Sequence, residues 1–261
     1  MGMSSRSFGR QRIQWMGDRT PPGIKTLLII MTAVFIAQTA VGMIWGDRGT
    51  LLVNYWFGLV PLAVVKGLRI WQPFTYIFLH GGLWHILINL LFLWMFGCDV
   101  ERAWGTRRFY NYFFVCGVGA GIINVIASSV PALFGREISS IPTIGASGAI
   151  FGVMIAAAVM FPDRQVNLIL PPVNLSMRVY VWAMVAIEFF VTLTAPGDSI
   201  AHFCHLGGIA IGYLYLRRGS FLFNMRNSMS DWKQRRLRRK FEVYMRDHND
   251  RGPSDRGRWV N

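Results

Sequence analysis

Residues 26–216 form a nearly uncharged middle, with nine basic and seven acidic side chains over 191 positions in a chain that is 53% hydrophobic. The rest of the charge sits at the ends. Residues 1–25 carry five basic groups and one acid, and residues 217–261 carry thirteen and five, which accounts for most of the net +14. Strong basicity alone would suggest nucleic acid, but soluble nucleic-acid-binding chains are not this apolar. Charged residues make up only 15% of the sequence, against roughly 25% in soluble globular chains. An ordinary water-soluble domain and an intrinsically disordered chain are both excluded, and a polytopic membrane protein remains. Cys98, Cys116 and Cys204 all lie in apolar stretches and read as small core residues, not as a disulfide framework.

A bilayer core about 30 Å thick needs roughly 20 apolar helical residues to cross it. Six stretches qualify as spans: residues 26–45, 82–98, 109–130, 145–161, 179–194 and 199–216. Residues 51–65 are also apolar, but they are short and contain Asn54, Gly58 and Pro61. With Trp45, Tyr55, Trp56 and Trp71 nearby, that segment reads as a loop in the membrane interface, where aromatic rings prefer to lie. With six spans, both tails and the second and fourth loops share one side, which holds 23 basic residues against 4 on the other. The positive-inside rule puts that side in the cytoplasm. The expected organisation is a cytoplasmic tail (1–23), an all-α membrane domain of six transmembrane helices (24–218) and a basic cytoplasmic tail (219–261). There is no internal repeat and no second globular domain.

Polar groups inside a bilayer are costly and so become functional candidates. His80, His85 and Asn89 lie at or in the second span, Ser147 opens the fourth, Glu188 interrupts the fifth, and His202 and His205 begin the sixth. Spans two, four and six all run inward from the outer face, so His85, Ser147 and His205 are expected in one shallow layer. A hydroxyl, imidazoles and an amide in one layer can supply a nucleophile, a general base and oxyanion donors. His85 and Asn89 stand i,i+4 on one helical face. Gly148 with Gly152, and Gly208 with Gly212, are small-xxx-small pairs that let helix backbones approach closely. Each feature also has a plain structural reading: a serine bonded to its own helix, buried histidines, a generic packing face. His202, Cys204 and His205 suggest a metal, but no HExxH motif or paired carboxylate completes a site, so none is expected. Glu188 has no assigned role.

These residues resemble the rhomboid intramembrane serine proteases over about residues 71–212. The matching motifs are His85-x-x-x-Asn89 within HGGLWHILINLLFLW, Val100-Glu101-Arg102-x-x-Gly105, Gly145-Ala146-Ser147-Gly148 and His205-x-x-Gly208-x-x-x-Gly212. The resemblance implies a six-helix rhomboid-like bundle in which Ser147 is the nucleophile and His205 its general base, a dyad with no acidic third member. It implies that His85 and Asn89 form the oxyanion hole with the Ser147 backbone N–H. Gly145, Gly148 and Gly208 would support the site, Phe151 would pack against the catalytic imidazole, and Glu101 would brace the cytoplasmic end of span two. The family commonly carries Trp-Arg before span two, where this chain has Trp71-Gln72. That departure bears on how the first loop is anchored.

The implied activity is hydrolysis of a peptide bond in single-span membrane proteins near the outer face, without a cofactor. The span containing Glu188 would be the place of lateral entry. A catalytically silent relative that binds membrane clients, and a small transporter, are the alternative classes. The six-span layout suggests a bacterial inner (plasma) membrane. In the basic tail, Leu237, Phe241 and Tyr244 fall on one helical face. That tail is expected either to be solvated or to lie on anionic lipid, with nucleic acid an unfavoured partner.

Overall fold

A computed structural model describes residues 20–167, 174–194 and 202–218. Residues 1–19 and 219–261, including the amphipathic segment around Phe241, lie outside the described residues. Contacts divide the chain into one unit ending at Tyr213 and a second beginning at Leu214. Of the second, only residues 214–218 are described, as helix.

The first unit is built almost wholly of helices. They are α1 (Pro22–Phe57), α2 (Pro61–Gly67), α3 (Gln72–Thr75), α4 (Leu83–Trp104), α5 (Thr106–Ser129), α6 (Ser147–Met160) and α7 (Met177–Thr194), followed by α8, described as helix over residues 202–213 of this unit. A helix satisfies its own backbone hydrogen bonds, which lipid cannot do for it. Among the described residues, four helical stretches are long and apolar enough to cross a membrane: Pro22–Phe57, Leu83–Trp104, Thr106–Phe134 and Met177–Thr194. At 14 residues, α6 is shorter; at 1.5 Å per residue it rises about 21 Å. It is also the most enclosed helix, with every residue from Gly148 to Ala158 buried and with α4, α5 and α7 packed around it. The outward faces of the longer helices stay apolar, with Ile36, Met43, Trp84, Ile126, Trp182 and Phe190 exposed. Contiguous exposed apolar surface on this scale marks contact with lipid.

The segment expected as an interfacial loop is largely helical. Helical backbone continues through α1 across a kink at Gly46, and α2 follows within a few residues. Apolar residues near a polar turn at the membrane edge still need their backbone groups paired, and short helices provide this. A small antiparallel hairpin, Gln165–Asn167 with Asn174–Ser176, joins α6 to α7.

Two buried polar side chains, Glu101 near the end of α4 and Gln72 in α3, tie distant parts of the chain together. Glu101 is 2% exposed and accepts hydrogen bonds from the Gly23 and Ile24 backbone N–H groups at 2.8 and 2.7 Å. The Thr106 hydroxyl donates to it as well, at 2.7 Å. The first turn of α1 has no side-chain cap of its own, so a carboxylate from α4 satisfies its free donors and faces the positive end of its dipole.

The other side chain is in the segment before α4. Gln72 is fully buried; its Oε1 accepts from Val60 N–H at 3.0 Å and its Nε2 donates to the Tyr55 carbonyl at 2.9 Å. Arg69 supplies the guanidinium instead. It donates to the same Tyr55 carbonyl at 2.8 Å and lies 4.0 and 4.1 Å from the ring centroids of Tyr55 and Trp56. Trp71 Nε1 donates to the Trp56 carbonyl at 2.9 Å. Gln72 is therefore an internal strut, and a guanidinium, that of Arg69, stands three residues earlier.

Candidate active site

Ser147 is the first residue of α6, and the chain leading to it is held on three sides. Thr143 pairs with Leu59 through two backbone hydrogen bonds of 2.9 Å. Asn124 on α5 donates to the Thr143 hydroxyl at 3.0 Å. Gly145 N–H donates to the Tyr76 carbonyl at 2.9 Å. Gly145 has φ +127, in the region that side chains rarely adopt. The turn therefore delivers Ser147 to a helix N-terminus, where free backbone N–H groups and the helix dipole favour negative charge.

On α8, His205 places Nε2 2.6 Å from Ser147 Oγ, and its ring lies over Phe151 with centroids 5.0 Å apart. The helices can approach this closely because they carry glycine at the crossing. A Cβ at Gly208 would collide with the Gly148 carbonyl, and one at Gly212 would stand 2.9 Å from Gly152 Cα. Tyr112 Oη donates to the Gly152 carbonyl at 2.7 Å and secures α5 to the same crossing. Cys204, between the two histidines in the α8 sequence, is buried 3.3 Å from Tyr76 Oη, which in turn donates to the Gly117 carbonyl at 2.6 Å. All three cysteines are free and buried.

His85 lies against the turn before Ser147: a methyl group at Gly145 would stand 2.8 Å from its Nε2. Gly81 N–H donates to His85 Nδ1 at 3.2 Å, which makes Nδ1 the acceptor and leaves the proton on Nε2, facing the turn. Asn89, one turn along α4, donates from Nδ2 to the His85 carbonyl at 2.8 Å, leaving its second amide hydrogen for another acceptor. His80 packs edge-on to His85, with ring centroids 5.2 Å apart. Burial, and then the His85 imidazole, push the His80 ring down to about 4, so it is neutral at physiological pH. Beside this turn is a cavity of about 640 Å³, lined by polar groups of Gln38, Asn54 and His80 as well as by apolar residues of α1.

Glu188, to which the sequence alone assigns no role, stands behind the catalytic candidates. Its Oε1 lies 2.6 Å from His205 Nδ1 and 2.6 Å from His202 Nδ1. An acid therefore backs His205, where the resemblance implied none. The three side chains also offer ligand atoms within 4.8 Å of one another, enough to hold a metal ion. As the atoms stand, they are occupied with one another through hydrogen bonds. The signal for this cluster was visible in part: a single acid amid the apolar residues of α7. Its partners were not, because they come from a different helix.

The comparisons with known proteins agree with this architecture. The Rhomboid domain family matches residues 67–220. RHOMBOID-like protein 1 of Arabidopsis thaliana is 28% identical over 186 residues, covering 69% of this chain and 44% of that protein. Rhomboid protease GluP of Bacillus subtilis is 33% identical over 157 residues, 60% of this chain and 27% of that one. Rhomboid protease GlpG of Yersinia pestis is 25% identical over 206 residues, 77% of this chain and 64% of that one. The aligned regions thus span less than two thirds of each relative. With the family domain covering more than half of the chain and three membrane-length helices lying within it, this integral membrane protein belongs to the rhomboid family.

Proposed function

We propose that the chain is an intramembrane serine endopeptidase that cleaves single-span membrane proteins near the outer membrane face. The observation that carries this reading is the 2.6 Å contact between Ser147 Oγ and His205 Nε2 at the N-terminus of a buried helix. His205 takes the Ser147 proton as the hydroxyl attacks the scissile carbonyl, then returns it to the leaving amine. The resulting oxyanion is stabilised by the Ser147 backbone N–H, His85 Nε2–H and the remaining Asn89 amide hydrogen. Such preorganised donors act strongly where water is largely excluded. Phe151 keeps the imidazole in plane from one side.

In this reading α6 and α8 complete six crossings with the four longer helices. The excess of basic residues on one side supports a cytoplasmic location for both termini. Two relatives named as rhomboid proteases support the activity.

The test is co-expression with an epitope-tagged single-span protein, comparing wild type with Ser147→Ala and His205→Ala. Wild type should release the tagged ectodomain and both variants should not. Release that persists in Ser147→Ala overturns the proposal. A fluorophosphonate probe should also label Ser147 in the wild type and fail to do so in His205→Ala.

A further inference from the structure

We infer that Glu188 is a positioning residue for the catalytic imidazole, holding His205 from α7 as the third member of a Ser147–His205–Glu188 relay. The inference rests on the protease reading above and deepens it. Three observations support it. The relay is continuous, with Ser147 Oγ to His205 Nε2 at 2.6 Å and His205 Nδ1 to Glu188 Oε1 at 2.6 Å. The carboxylate can only accept, so Nδ1 must carry the proton and Nε2 must present its lone pair to Ser147. That is the tautomer a general base requires, and the protein selects it before any substrate arrives.

The second observation is the setting of Glu188. It is the one acid in α7, and its side chain is only 13% exposed. An isolated charge at that depth is costly unless donors surround it. Two imidazole N–H groups, from His205 and His202, converge on the same oxygen. His202 therefore holds the carboxylate in place rather than competing for the reaction. The rings of His202 and His205 lie edge to face, with centroids 5.9 Å apart, which lets both reach one atom.

The third observation concerns α7 itself. Its buried residues are Met177, Tyr180 and Val181, all in the first turns. The contact of Glu188 with the two histidines is a polar tie in the second half, where packing alone does not fix the helix. During attack the proton leaves Ser147 Oγ for His205 Nε2, and the imidazolium so formed is stabilised by the carboxylate on its far side. Ser147 and Phe151 on α6, His202 on α8 and Glu188 on α7 all stand against His205.

The experiment uses the full chain in detergent micelles and a fluorescent single-span substrate, with kcat and KM measured separately. Glu188→Gln keeps the shape and loses the charge; it should lower kcat on the order of 10- to 10³-fold with KM little changed. Glu188→Asp keeps the charge on a shorter arm and should recover part of that loss. Fluorophosphonate labelling of Ser147 should slow in the same order. Wild-type kcat in Glu188→Gln overturns the inference, as does an Asp variant no better than Gln. A rise in KM accompanied by loss of thermal stability assigns Glu188 a merely structural role and also overturns it. Ser147→Ala run alongside separates the two levels. Full cleavage in Ser147→Ala sinks the protease reading, whereas an inactive Ser147→Ala beside a fully active Glu188→Gln sinks the relay alone.

Discussion

Gly208 of α8 lies directly against the backbone carbonyl of Gly148 in α6, so close that no side chain fits between the helices. This contact sets the separation at which His205 meets Ser147 one turn away. Gly208→Ala should push α8 outward and, as an overpacking change, cost about 1–3 kcal/mol of stability. Thermal unfolding in micelles together with fluorophosphonate labelling would show both effects. A variant with unchanged melting and labelling would mean the crossing is looser than this contact implies.

Gly145→Ala should reduce activity more than it reduces stability. Its φ of +127 is unfavourable for alanine, and the added methyl would stand 2.8 Å from His85 Nε2. The imidazole is the softer partner, so it moves, taking a proposed oxyanion donor with it. Loss of one such donor typically lowers kcat by about 10²–10³-fold. Steady-state kinetics on a variant shown to be folded would test this, and normal kcat would contradict it.

Glu101→Gln should loosen the start of α1. The carboxylate accepts from two backbone donors and a hydroxyl, and an amide offers only one acceptor atom for them. At least one buried N–H then goes unpaired, at a cost of roughly 1–3 kcal/mol. Faster amide hydrogen exchange at Gly23 and Ile24 is the expected signature. Unchanged exchange there would mean the cap is dispensable.

Gln72→Arg, which restores the residue common in the family, should destabilise this chain. Arginine has no acceptor for the Val60 N–H, and its charge would enter a fully buried position beside the existing guanidinium of Arg69. The penalty is about 1–3 kcal/mol for the orphaned donor alone. Arg69→Ala should make the loop more susceptible to proteolysis, and in that background Gln72→Arg should be better tolerated. Limited proteolysis of the single and double variants decides the point. Additive losses would show that the two positions do not share one role.

Much of this molecule was legible in the sequence because lipid imposes simple local rules. Apolar runs bounded by charge had to become helices. The paired glycines at Gly148/Gly152 and Gly208/Gly212 marked the faces that pack, which is why the approach of Ser147 to His205 could be anticipated. These features depend on residues adjacent in the chain, or a helical turn apart. The tertiary structure alone decided which polar groups meet across helices. Glu188 needed α7 to be placed and rotated before its carboxylate could reach Nδ1 of His202 and His205. Likewise Gln72 needed the turn near Val60, and Glu101 needed the start of α1. A charge or amide in a low-dielectric interior must find its partner, but its own sequence neighbourhood does not say where that partner lies. Packing sets the distance and rotation between helices, and it assigned each of these groups its partner.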